Sequence, residues 1–372
     1  MTHRLTMLFG ILGATMLLGA GCIQFGASTN LGPLGVFRSN DRGESWQSTA
    51  SFPTSQGVKS LAGLKIYRFF TDPSDPDAMY LGTRGQGLFY TYDRGGTWQK
   101  VDALSGMFIY GLAVDPQDKC VIYVSDGGHV YKTVDCARTW RVLYTEGRPG
   151  ERFVALAVDY AQSNLIYGAL SGGDILESVD GGESWQVIKR FGFTIQDLVA
   201  DKFAAKRVYV ASLRNGLFRT DDAGATWGDL NSGLNNYNSS NVFYRLVMHP
   251  GKKNSLFWVS KYGLLRSDDS GANWSEIKLI TPPGSVAIYA FAISPKNDKE
   301  MYYVGTIAAE KSGADMSLFG SKPSVGRSTF YRSFDGGKSW VTKKMPSGAT
   351  PTALYVHPLD TATLFLGFTS LD

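Results

Sequence analysis

The chain has 372 residues, among them 43 Gly, 8 Trp, 19 Tyr and 21 Phe, with 19% charged side chains and a formal net charge of +4. Glycine at about 12% alongside 13% aromatics excludes a disordered chain, which lacks aromatics, and a coiled coil, which is rich in charge. It points instead to many short strands joined by tight turns, while the scattered basic residues exclude the dense Lys/Arg patch of a nucleic-acid-binding domain. Length alone suggests two or three domains of roughly 150 residues.

In chain order, the first segment is an address. His3 and Arg4 precede an uncharged apolar run from Leu5 to Leu18, too short to span about 30 Å of hydrocarbon comfortably. The small residues Gly19, Ala20 and Gly21 and then Cys22 follow, so residues 1–21 read as a signal peptide. The run Leu18-Gly19-Ala20-Gly21-Cys22 resembles a bacterial lipobox, with its Leu one place further from the Cys than usual. That resemblance implies that Cys22 is diacylated and becomes the mature N-terminus of an exported bacterial lipoprotein of the cell envelope, at the outer membrane or cell surface. Ile23 stands where an Asp would signal inner-membrane retention. The plainer reading is an ordinary signal peptide with an incidental Cys. Residues 22–33 form the lipidated tether.

From residue 39 onward one octet recurs, Ser/Thr-x-Asp-x-Gly-x-Ser/Thr-Trp. It appears as SNDRGESW, TYDRGGTW, TVDCARTW, SVDGGESW, TDDAGATW, SDDSGANW and SFDGGKSW, with Asp41, Asp93, Asp135, Asp180, Asp222, Asp269 and Asp335 at its third place. The Trp-to-Trp steps are 52, 42, 45, 42, 47 and 66 residues, and seven of the eight Trp are used. Each octet follows an alternating strand such as Gly87 to Thr91. The Asp is placed to accept backbone N–H bonds in an Asx-type turn, the Gly supplies positive φ, and the Trp buries its ring while its indole N–H finds a carbonyl. The octet is therefore read as a stapled, structural turn.

Between octets an apolar strand, a turn often carrying Pro, and a second apolar strand recur, as in residues 66–83, 109–126 and 242–260 and again from near Phe153, Thr194, Ile288 and Thr352. Strands A, B and C, the octet and strand D make one four-stranded propeller blade. The chain starts with a C strand at Gly35 and ends on an A–B pair, so closure takes two strands from each terminus. The expected fold is all-β, one seven-bladed β-propeller over residues 34–369 with antiparallel blades and a two-plus-two clasp.

The octets resemble Asp-box (BNR) repeats over about residues 34 to 369. Sortilin-type receptors, sialidases, some glucanases and seven-bladed photosystem assembly factors share them. The resemblance implies the fold strongly and function weakly.

Cys120 and Cys136 lie in one module. Pairing back from the turn Asp126-Gly127-Gly128 sets Cys120 opposite residues 134–136, which predicts a disulfide, the alternative being two free thiols after a one-residue register shift. It falls in the one octet with Ala137 in place of Gly.

No Ser/His/Asp triad or spaced metal set emerges from His3, His129, His249 and His357, so no catalytic residue, metal or cofactor is assigned. In Asp-box enzymes the site lies on the face opposite the octets, built by D–A and B–C loops. Carboxylates expected there are Asp126, Glu146, Glu151, Asp174, Asp197 and Glu310, with Asp197 read as a satisfied channel residue. Arg84, Arg214 and Lys261 occupy the same place in three B–C loops, with Arg148, Arg152, Lys189 and Arg190 in D–A segments, a cationic group suited to an acidic partner. The insertion at 307–328 adds Met316, Leu318 and Phe319, with 313–324 a partner-contact candidate. The D–A loop 231–241 reads as exposed. The function expected is a non-catalytic, lipid-anchored extracytoplasmic scaffold for protein interaction or assembly, with an acidic or membrane-complex partner and no nucleic acid. The alternative is a carbohydrate-binding or glycoside-hydrolysing propeller.

Overall fold

A computed structural model of the chain describes residues 32–49, 51–307 and 328–370. Residues 31–372 form one compact unit. Seven four-stranded sheets, every pairing antiparallel, make seven propeller blades. Blade two shows the plan: inner strand A, Ile66–Thr71; B, Met79–Thr83; C, Leu88–Thr91; and outer strand D, Gln99–Lys100. Blade one combines Gly35–Ser39 and Gln47–Ser48 with Thr350–Val356 and Leu364–Thr369, and Val36 pairs with Gly367. The two-or-three-domain expectation from length fails because each blade buries an apolar face only against its neighbours.

The core follows that logic. Buried apolar side chains fall into seven clusters, each shared by two adjacent blades. One joins Val36 and Phe365 of blade one to Leu81 and Phe89 of blade two; another joins Phe330 of blade seven to Leu366 of blade one. B strands are buried on both sides, as in Ile166–Leu170, whereas D strands such as Gln186–Arg190 are largely exposed. Gly168 on that B strand is required by packing, because a Cβ there would lie 2.0 Å from the Phe153 ring.

The octets sit in C–D turns and dock on the A–B turn of their own blade. In all seven, the N–H one residue after the Asp donates to an A–B turn carbonyl, from Arg42 to Ala362 at 2.9 Å through Gly336 to Lys299 at 3.0 Å. Octet residues and A–B turns thus share one face of the ring; B–C and D–A loops share the other.

Two elements were not legible from the sequence. Ser51–Thr54 and Gly57–Ser60 form an extra hairpin between blades one and two, whose Phe52 packs edge-on to Phe89 at 5.2 Å. The 231–241 loop, read as merely exposed, contains the short helix Asn231–Leu234 and buries Leu234 and Ser240. The remaining tryptophan, Trp258, lies fully buried and donates its indole N–H to Ser240 O at 2.8 Å, which ties that loop down.

Candidate functional site

On the octet face the seven octet aspartates are consumed locally. Asp93 Oδ1 accepts from the Thr97 N–H at 2.9 Å and the Thr91 hydroxyl at 2.7 Å, and Oδ2 accepts from the Thr97 hydroxyl at 2.7 Å. The same set recurs at Asp41, Asp135, Asp180, Asp222 and Asp335, and at Asp269 with Asn273 replacing the hydroxyl donor. Hydrogen bonds from Thr139 first, then Thr133, hold Asp135 down to about 2, and Ser184 does the same for Asp180. Each turn needs two consecutive left-handed residues, not the single Gly the octet pattern suggests: Arg42 and Gly43 have φ of 59° and 81°, Arg94 and Gly95 of 59° and 74°. Cys136 and Ala137 meet the same need at 57° and 68° with no Gly at either place. In this octet Cys120 and Cys136 are joined by a disulfide, and the Cys136 N–H donates to Cys120 O at 3.2 Å. The expected indole bonds form in four octets only; Trp140, Trp185, Trp227 and Trp340 reach carbonyls, whereas Trp46, Trp98 and Trp274 have no acceptor among the described residues.

The opposite face is different because of a device at the start of the inner strands. In six of the seven A strands the register slips by one residue, for example between Ile66 and Arg68, Ile195 and Asp197, and Phe243 and Arg245. Such a bulge re-aims the residues beside it. The positions following it are Arg68, Ala155, Asp197, Arg245, Ala290 and Ala353, so three charges share an inner ring with small residues. Arg68 of blade two crosses to Asp197 of blade five, Nη1 to Oδ1 and Nη2 to Oδ2 both at 3.1 Å, which closes the channel with a bidentate pair. Asp197 is 3% exposed, so the pair has little solvent screening. This is the satisfied channel carboxylate expected from the sequence.

Arg245 has no such partner. Its Nη2 donates to Thr352 O at 2.9 Å and its Nε to Tyr289 O at 3.4 Å. Burial first, and then the neighbouring Arg68, push its guanidinium down to about 10, with Arg84 adding to the repulsion. Hollows of about 390 Å³ and about 210 Å³ flank the bridge inside the channel.

Next to this ring lies an aromatic platform. Phe108 and Tyr110 stack with centroids 4.1 Å apart, and Tyr67 packs edge-on to Phe108 at 5.0 Å. Arg84 lies over Tyr67 and Phe108 at 5.7 Å and 6.0 Å, and Arg152 over Tyr110 at 5.8 Å, with Nη1 3.1 Å from the Tyr110 hydroxyl. The Arg84 Nε is buried without a hydrogen-bond partner among the described residues.

Among the other anticipated cations, Arg214 and Lys261 are exposed on this face, Arg214 beside a separate hollow of about 350 Å³. Arg148 is not available as expected: Glu146 accepts from its Nε at 2.9 Å and Asp174 from its Nη1 at 2.8 Å. Arg190 also lies 3.6 Å from Asp174, and Lys189 sits over the Phe191 ring. Asp126 binds His129 and Tyr131, and Glu151 accepts from the Gly172 N–H at 2.8 Å. Each of the five anticipated carboxylates among the described residues is therefore already bonded. Cys22, Glu310, Met316, Leu318 and Phe319 lie outside the described residues. Within them, no three His, Cys, Asp or Glu gather as a metal-ligand group, and no helix is long and apolar enough to cross a membrane. A further hollow of about 880 Å³ lies apart from the platform, under the 51–60 hairpin between Phe52, Phe89 and Lys100.

Sequence reasoning did not find Arg68, Arg245, Tyr67, Phe108 or Tyr110. The signal for Tyr67, Arg68 and Arg245 was an aromatic followed by an arginine at the start of an inner strand, in Ile66-Tyr67-Arg68 and Phe243-Tyr244-Arg245.

Comparison with known proteins places this geometry among related propellers. A 67-residue stretch is 42% identical to the xyloglucanase Xgh74A of Acetivibrio thermocellus and 39% identical to a Paenibacillus xyloglucanase, in each case 18% of this chain. The chain spans less than a tenth of the length of these curated relatives, 8% and 6%. Among solved structures, a GH74 xyloglucanase from Xanthomonas campestris superposes with a TM-score of 0.62 at 18% identity, over 87% of this chain and 52% of that one. YCF48 bound to a D1 peptide superposes at 0.57 and 14% identity, over 82% of this chain and 94% of that one. These likenesses show the fold. The model of the family described as Sortilin, neurotensin receptor 3, matches residues 35–146 and 173–278, more than half of the chain, and the chain belongs to that Sortilin-Vps10 family.

Proposed function

We propose that the protein is a lipid-anchored, extracytoplasmic binding scaffold of the bacterial cell envelope that takes an acidic segment of a protein partner on the face opposite the octets, without catalysis. The observation that carries this reading is the cationic platform: Arg84 stacks on Tyr67 and Phe108 and Arg152 on Tyr110, with no carboxylate paired to either among the described residues. A partner carboxylate would supply the missing negative charge. Arg214 and Lys261 extend the same face, and Met316 and Phe319 are proposed to add apolar contacts to the partner. YCF48, a propeller of similar length whose solved structure holds a peptide, supports a binding role by analogy only. The anchor is Cys22, and the octet aspartates are structural.

The test is affinity for acidic and neutral peptides with the chain and its Arg84→Glu/Arg152→Glu variant. Preference for the acidic peptide, lost in the variant while it remains folded, supports the reading; equal binding by both proteins overturns it. Mass spectrometry of the N-terminal peptide checks diacylation of Cys22.

A glycan-binding reading is the alternative, favoured by the local similarity to xyloglucanases and by the aromatic faces of Tyr67, Phe108 and Tyr110, which suit sugar rings. Titration with xyloglucan oligosaccharides decides it: saturable binding lost on Tyr67→Ala or Tyr110→Ala would replace the acidic-segment reading.

A further inference from the structure

The ring of residues behind the bulges sets two guanidiniums, Arg68 and Arg245, against one carboxylate, Asp197; its other positions, Ala155, Ala290 and Ala353, are uncharged. Asp197 is already spent. Each of its oxygens accepts from an Arg68 Nη at 3.1 Å, and Oδ1 also accepts from the Leu198 N–H at 3.1 Å. Arg245 is left with two carbonyls, Thr352 O for Nη2 and Tyr289 O for Nε. A guanidinium carries five N–H groups, so both donors of Nη1 and the second of Nη2 have no acceptor among the described residues. The ionisable groups that act most on Arg245 are Arg68, Tyr67, Asp197 and Arg84: two cations, a phenol and the paired carboxylate. Burial and Arg68 push its guanidinium down to about 10, which still leaves it charged at neutral pH.

The side chain that carries these open donors lines a hollow. Arg245, Arg68 and Asp197 bound a space of about 210 Å³ whose other walls include Phe69, Val199 and Val247. The inner strands run from the D–A loops to the A–B turns, and these apolar residues follow the charged ones along them, so the hollow lies on the octet side of the Arg68–Asp197 bridge. Small ring residues, Ala290 and Ala353, also border it and leave the room. A volume of about 210 Å³ corresponds to roughly seven waters at about 30 Å³ each. The neighbouring hollow of about 390 Å³ shares Phe69, Val199 and Val247 and reaches Pro73 and Pro116 of the A–B turns, which gives a route in from the octet face.

We propose that this hollow binds a small free carboxylate, an acid of about two to four carbons, whose oxygens take the open donors of Arg245 and whose short apolar body lies against Phe69, Val199 and Val247. One negative charge balances the ring, because Asp197 and the ligand then face Arg68 and Arg245. A carboxylate suits the site better than a halide, since the planar fork of a guanidinium matches two oxygens. It also suits it better than sulfate or phosphate, whose further charge and oxygens would meet an apolar wall. The bridge stands between the hollow and the platform, so a free acid entering from the octet side reaches Arg245 and a segment docked on Arg84 does not. This site is independent of the acidic-segment reading of the platform.

The experiment titrates the full chain, exchanged into carboxylate-free buffer, with isotope-labelled acetate read by ligand NMR, and uses acetamide as the neutral match. Saturable acetate binding with a Kd of about 0.1–10 mM is expected for a ligand of this size, with acetamide at least about tenfold weaker. Arg245→Met, which keeps length and removes charge, should weaken acetate by at least about tenfold. Val247→Phe, which fills the hollow and touches no charge, should do the same by about the same factor and keeps the test open if Arg245→Met does not fold. The melting temperature of the parent should rise with acetate concentration, and that of either variant should not. Acetate affinity unchanged in both variants overturns the site, and so does acetamide binding as tightly as acetate. Binding that survives Arg245→Met and disappears in Arg84→Glu/Arg152→Glu would put the acetate on the platform and overturn it as well. Displacement of bound acetate by an acidic peptide would make the carboxylate a partner's side chain and overturn the free acid as its source.

Discussion

The octet aspartates and the platform arginines handle charge in opposite ways. The Asp at the third place of each octet is saturated by a hydroxyl two residues earlier and by the backbone and side chain four residues later, so its charge is spent within its own turn. At the platform face the charges come from different blades and do not balance: Arg68 consumes Asp197, Arg245 is held by two carbonyls, and Arg84 is left with aromatic faces. Local satisfaction makes a turn rigid and indifferent to partners; leftover charge held by packing makes a surface that a ligand can complete.

The contrast can be broken most forcefully at the channel bridge. Asp197→Ala leaves Arg68 without its carboxylate, beside Arg245, in a poorly screened site, so urea unfolding should show a loss of about 3–5 kcal/mol. No measurable loss would mean that water already compensates the pair. Next, Arg84→Glu with Arg152→Glu should weaken an acidic peptide by about a hundredfold, with a stability loss held to about 2 kcal/mol, the cost of unstacking half-buried Arg84. A large stability loss instead would make the platform a packing element and erase the contrast.

On the octet side the order reverses, with stability lost and binding kept. Removing the Cys120–Cys136 bridge by paired Ser substitution should cost about 2–3 kcal/mol, and titration of the unfolded, unreduced protein should find neither thiol free. Asp93→Ala, which orphans the Thr97 N–H and two hydroxyls, should cost roughly 1–2 kcal/mol. Peptide affinity that falls with either variant would link the faces.

The smallest effect is graded with pH. His249 and His357 are held below the ordinary imidazole value, first by burial, so the neutral forms stabilise the fold above about 6.5 and that contribution fades as pH falls below it. The octet carboxylates, lowered from 3.8 to about 2 at Asp135, Asp180, Asp222 and Asp335, add stability that is present above about 4 and is lost as pH falls toward 2. Two steps in a plot of melting temperature against pH are expected, with peptide binding following only the partner's own carboxylates.

The sequence by itself determined the repeat, the seven blades and the box chemistry, because an octet closes on itself through bonds no more than four residues apart, and such bonds can be read along a line. It also placed Asp197 on an inner strand and Cys120 near Cys136, since hairpin register is counted from a turn. Only the tertiary structure decided that Arg68 and Asp197 meet, 129 residues apart, that Arg148 is neutralised by Asp174, and that Tyr67, Phe108 and Tyr110 form one platform. These contacts depend on ring closure and on one-residue bulges that re-aim inner-strand side chains, and a bulge leaves the alternation of the sequence almost unchanged. Packing across blades, not pattern along the chain, selected which charges remain for a partner.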